Sequence, residues 1–126
     1  MTTVVYDTGA LLAAERRQSD VLYLHQRLTA ELIRPIVPVV VLAQAWRGGP
    51  QPNLSRLLRG CQVLADDERI GRAAGIACAA ARTSDVVDAI VVVTAARVGA
   101  LVVTTDPADL TALASGIGVK LRLFVV

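Results

Sequence analysis

The sequence predicts an α/β fold, a three-layer α/β/α sandwich around a central parallel sheet of about five strands. Three observations carry that expectation. Short uncharged β-branched runs alternate with longer helix-forming stretches along 126 residues. Strands that read as unbroken apolar runs are the kind a parallel sheet buries on both faces. Strands separated by helices also require right-handed crossovers, which lay helices on either side of the sheet.

The elements follow in order. Val4 to Tyr6 is a β-branched and aromatic run ending at Asp7, and the segment after Gly9 has helix-forming composition. From Ser19 or Asp20, either of which can cap, Val21, Leu24, Leu28 and Leu32 recur at helical spacing up to Pro35. Ile36 and Val37 form a second strand, and Val40 to Trp46 reads as a helix stopped by Gly48, Gly49 and Pro50. Pro52 to about Gly60 is a further helix, and Gln62 to Leu64 a third strand. Asp66 to Arg82 is an alanine-rich helix in which Gly71 and Gly75 are spaced for close approach by a neighbouring element. Thr83 or Ser84 caps the next helix, which carries Asp85 and Asp88 in its first turn and runs to about Val98. Gly99 ends it, Leu101 to Thr104 is the fourth strand, Pro107 opens a short helix to Ser115, and Lys120 to Val126 supplies the fifth strand.

Composition excludes several classes. Hydrophobic residues make up 54% and charged residues 19%, too apolar for intrinsic disorder and suited to one domain spanning 1–126. The longest stretch free of charge, Pro35 to Trp46, falls well short of the roughly 20 residues of a spanning helix. No signal-peptide pattern opens the chain, so a cytoplasmic location is expected. Cys61 and Cys78 read as reduced core thiols, and with His25 the only histidine a zinc site is not expected. His25 itself reads as a surface or helix-packing residue. A net charge of +2 permits contact with nucleic acid without demanding it.

The informative residues are acids. Asp7 and Asp106 each follow an apolar strand, so both emerge at the carboxyl edge of the sheet, where open α/β folds bind ligands. Asp85 and Asp88, three apart, share a helix face at its amino end. Gathered carboxylates repel one another unless a cation neutralises them, and all-oxygen ligation suits Mg²⁺ or Mn²⁺. Aspartate at a strand end or helix cap is also common for backbone hydrogen bonding alone, which is the competing role of Asp85 and Asp109.

These residues resemble the PIN-domain nucleases, and in size and motif order the VapC-type toxins among them. VVYDTGALLA is similar to the first motif, with Asp7 as first acid; SDVVDAIVVVTAA to the helix motif, with Asp88 as third; VVTTDPADL to the final motif, with Asp106 as fourth. The resemblance covers nearly the whole chain. It implies a metal-dependent endoribonuclease with Asp7, Asp88 and Asp106 as catalytic acids, one or two Mg²⁺ or Mn²⁺ ions, a homodimer and a cognate antitoxin. The family's glutamate on the helix after the second strand is matched by Gln44, which keeps an oxygen ligand and loses a charge. Asp85 either restores that charge in the metal set or serves as a helix acid. Two functions follow: a ribonuclease toxin, or a degenerate module that binds RNA or a protein partner without cleaving. Arg47, Arg56 and Arg59 flank the glycine-proline loop and are candidate contacts for RNA phosphates, or simply a solvated face.

Overall fold

The computed structural model describes residues 2–126. Five strands, β1 (Val4–Tyr6), β2 (Ile36–Pro38), β3 (Gln62–Leu64), β4 (Leu101–Thr104) and β5 (Arg122–Val125), form one sheet in the order β3-β2-β1-β4-β5. Every pairing is parallel, with Val5 opposite Ile36 on one side and Val102 on the other. The uncharged strands β1, β2 and β4 hold the middle and are buried, whereas the edge strands β3 and β5 carry the polar residues Gln62 and Arg122 and stay largely exposed.

Seven helices connect the strands: α1 (Thr8–Glu15), α2 (Ser19–Ala30), α3 (Val39–Ala45), α4 (Pro52–Leu58), α5 (Glu68–Ala81), α6 (Val86–Val98) and α7 (Pro107–Gly116). Right-handed crossovers place α1 to α4 on one face and α5 to α7 on the other: α1 packs on α2, α3 and α4; α5, α6 and α7 pack together; and α3 also meets α6. The central helix is α6. Its segment Ala89 to Ala95 is buried without interruption, as its uncharged sequence requires.

Two sequence expectations change. Neither Ser19 nor Asp20 caps α2, because the Gln18 carbonyl already accepts from Leu22 N–H and Ser19 is inside the helix. Gly71 and Gly75 make no close approach, since a Cβ at either would meet nothing within 4 Å. The tight contact between these helices falls at Gly116 instead, where an added Cβ would sit 3.3 Å from Ala80 Cβ. Small residues on α5 admit a neighbour, but it is the glycine on α7 that comes close. Trp46 lies at the end of α3 and is 39% exposed.

Cys61 and Cys78 are free and buried, as expected. His25 packs inward from α2, where its Nδ1 lies 2.9 Å from the hydroxyl of fully buried Tyr6. Among the described residues, no helix is long and apolar enough to cross a membrane.

Candidate active site at the sheet's switch point

Chain order reverses between β1 and β4: the connections run outward from β1 through β2 to β3, and the chain then returns to β4 on the other side. Such a switch point opens a crevice beyond the carboxyl ends of the two strands. Asp7 follows β1 directly and Asp106 lies two residues beyond β4, so both acids border it.

Asp7 is held from three sides. Its N–H donates to the Val103 carbonyl at 3.2 Å, continuing the ladder to β4. Its Oδ1 accepts from Ala10 N–H at 2.9 Å, which makes it the N-cap of α1. The carboxyl is only 4% exposed, and burial pushes its pKa upward. Hydrogen bonds from the Thr104 hydroxyl and the Ala10 and Gly9 N–H groups oppose that rise, and the charge of Asp106 adds to it. Thr104 is a link between the two acids, because its Oγ1 also accepts from Asp106 N–H at 2.9 Å.

Gly9 explains how α1 can start so near β4. A Cβ there would land on Thr105 Oγ1 and lie 3.2 Å from Thr105 Cβ, so only glycine lets the β1–α1 turn pass the β4–α7 turn.

Asp85 and Asp88 enter from α6. The cap of this helix is Asp85 rather than Thr83 or Ser84: its Oδ1 accepts from Asp88 N–H at 3.1 Å, while Thr83 Oγ1 takes the Asp85 N–H at 3.2 Å. Asp85 therefore stands just outside the helix, with its side chain turned back over Asp88. Burial comes first in pushing the Asp88 carboxyl up to about 7, followed by the charge of Asp85, a hydrogen bond to it, and the charges of Asp7 and Asp109. Asp109, on the first turn of α7, is also raised, first by its hydrogen bond to Asp106 and then by the Asp106 charge. Two pairs of neighbouring acids, Asp85 with Asp88 and Asp106 with Asp109, thus stand beside buried Asp7. Thr83, Asp85, Asp88 and Asp109 line a cleft of about 200 Å³.

Sequence reasoning left Asp109 at a structural role, yet it is electrically part of the group; its spacing of three from Asp106 on a helix start was the available signal. Asp66 was also missed. It follows β3 at the same edge, with Oδ2 buried and unpartnered and its pKa raised by burial.

Gln44 reaches the same neighbourhood from α3, its Oε1 accepting from Thr8 Oγ1 at 2.6 Å, one residue from Asp7. Arg47 does not join it. That guanidinium donates to the carbonyls of Ala43 at 3.1 Å and Trp46 at 2.7 Å, closing the end of α3. Arg59 is the C-cap of α4, three residues before β3 begins and so at the amino edge of the sheet, opposite the acids. Arg56 lines a separate cleft with Arg17 and His25. Among the described residues, no three His, Cys, Asp or Glu side chains are placed as a ready-made metal cage.

No family model and no curated protein matches the chain. Solved structures do. The crystal structure of VapBC2 from Rickettsia felis bound to a DNA fragment from its promoter aligns over 99% of this chain and 99% of that chain, with 15% identity and a TM-score of 0.73. DNA-bound VapBC from Salmonella typhimurium aligns over 99% and 98%, with 16% identity and a TM-score of 0.69. FitAcB from Neisseria gonorrhoeae aligns over 97% and 96%, with 15% identity and a TM-score of 0.67. Agreement end to end at so low an identity is agreement of architecture: this chain has the PIN-like three-layer α/β/α fold of the VapBC and FitAcB structures.

Proposed function

We propose that this protein is a metal-dependent endoribonuclease, the toxin of a type II toxin–antitoxin pair, with Asp7, Asp88 and Asp106 as its catalytic acids. The observation that carries the reading is the gathering of carboxylates from three distant segments at the switch point between β1 and β4. The donor set fits Mg²⁺ or Mn²⁺ in chemistry, being all oxygen and in excess negative charge. Asp7, Asp88 and Asp106 would hold the cation, with Asp85 and Gln44 at its margin. When bound, the cation supplies Lewis-acid activation of the water and phosphodiester.

The protein's own contribution is order and charge. The Ala10 N–H fixes the Asp7 carboxyl, and Asp106 heads α7 without a side-chain bond to the helix. Thr104 sets the spacing of the two. An antitoxin partner and a homodimer in the cytoplasm belong to this reading, supported by the fold shared with VapBC complexes.

One observation favours a second reading, a module that binds RNA or protein without cleaving. Gln44 is neutral and its amide oxygen is already taken by the Thr8 hydroxyl. The test is RNA cleavage by the purified protein in Mn²⁺ and in EDTA, with Gln44→Glu alongside. Cleavage by the wild type in Mn²⁺ alone supports the nuclease; no cleavage until Gln44→Glu is introduced supports the second reading. In either case Gln44→Glu is expected to tighten Mn²⁺ binding by on the order of 1 to 3 kcal/mol in calorimetry, through an added charged ligand. Equal affinity in the two proteins would place Gln44 outside the site.

A further inference from the structure

On the α1–α4 face, a cleft of about 150 Å³ is lined by Arg17, Leu22, His25, Asn53, Arg56 and Leu57. It contains cationic and donor groups and no acid. Among the described residues, ion pairs are made only by Arg27 with Glu31 and Arg72 with Glu68, so both guanidinium groups of the cleft lack a carboxylate partner. Glu15, close by, has Oε2 engaged by Leu54 N–H at 2.7 Å, and its carbonyl accepts from Asn53 Nδ2 at 3.0 Å.

His25 borders the cleft from α2. Tyr6 is fully buried, and its hydroxyl lies 2.9 Å from His25 Nδ1. Burial lowers the His25 pKa, keeping the ring neutral. Two guanidinium forks without ion-pair partners, lining a small cleft with an imidazole and an amide, make a site for a tetrahedral oxyanion.

We infer that this cleft takes a backbone phosphodiester of single-stranded nucleic acid, at a point removed from the acid cluster. The polymer's identity rests on the ribonuclease reading; the anion chemistry does not. The spacing suits a second anchor: α1 has 8 residues, so at about 1.5 Å per residue Arg17 lies a helix length of about 12 Å from Asp7.

The experiment is fluorescence anisotropy of a labelled 2′-O-methyl oligoribonucleotide, which resists cleavage, titrated in EDTA over a series of salt concentrations. The variants are Arg17→Gly and Arg56→Gln, singly and together. Arg17 has φ 59°, the left-handed region that glycine enters without cost, so Arg17→Gly removes the guanidinium without straining the turn. The double variant is expected to lose about tenfold in affinity, with the salt slope falling by about 0.7 per arginine removed. Unchanged affinity and slope would overturn the inference. So would an acidic peptide that displaces the oligonucleotide at lower concentration than unlabelled oligonucleotide does. Inorganic phosphate separates the sources: if it shifts the His25 ¹⁵N resonances and the oligonucleotide does not, the cleft is a free-phosphate site and the inference fails. A wild type that binds through both arginines yet cleaves nothing overturns the ribonuclease reading alone. A double variant that binds like a cleaving wild type overturns the cleft alone.

Discussion

Asp88→Asn is expected to abolish metal-dependent cleavage and at the same time make the metal-free protein more stable. Asn keeps the size of the side chain and the backbone N–H that Asp85 accepts, so the start of α6 survives. What disappears is a carboxylate whose pKa is pushed to about 7 by burial and by the charges of Asp85, Asp7 and Asp109. A folded-state pKa above the ordinary value of 3.8 means that protonation favours the fold. That stability is fully present below pH 3.8 and is lost as the pH rises through about 7. Once the shift is discounted for a half-exposed group, the repulsion relieved at pH 8 is on the order of 1 to 2 kcal/mol, roughly 4 to 8 °C in Tm. Melts in EDTA at pH 5 and pH 8 check this, with the wild type losing Tm between them and the variant losing less. Cleavage in Mg²⁺ is expected to fall by a factor on the order of a hundred or more. A variant that melts lower at pH 8 and still cleaves would make Asp88 an ordinary structural residue.

Gly9→Ala is the second large effect. The added methyl would collide with Thr105 Oγ1 and press on its Cβ, in the narrow gap between the turns that carry Asp7 and Asp106. Overpacking of this kind costs about 1 to 3 kcal/mol. The functional loss should exceed the stability loss, because a displacement of about 1 Å between catalytic groups can cost roughly a hundredfold in rate. Urea unfolding and RNA cleavage on the same preparation measure both, and Gly9→Ala/Thr105→Gly should recover most of each. A double variant no better than Gly9→Ala would show that the contact is not what separates these turns.

The strands were legible because burial on both faces leaves so little freedom: VVY, IVP and LVVT must be uncharged, and those runs stand out. Asp7 and Asp106 were legible for a related reason, since the residue leaving a buried strand sits at a fixed edge. Pairing of β1 with β4 was open in the sequence and is decided by the crossover geometry of the whole chain. Helix caps were harder to read. Thr83, Ser84 and Asp85 are all good capping residues, and which one serves depends on where the chain leaves α5, whose C-cap Arg82 adopts φ 56°. The arginines were least legible. Arg47 turns back onto carbonyls of α3, Arg59 lies at the opposite sheet edge, and Arg56 meets Arg17 and His25 across elements far apart in sequence. No local spacing encodes such a meeting.

The central claim, a divalent cation held by the acids of the switch point, is tested most directly by Mn²⁺ titration in ¹H–¹⁵N NMR spectra, where the paramagnetic ion broadens only nearby amides. The account predicts that the amides of Asp7, Asp88 and Asp106 vanish first, at substoichiometric Mn²⁺, while that of Arg59 at the opposite edge persists. Broadening that begins elsewhere, or that reaches Arg59 as early as Asp7, would contradict it.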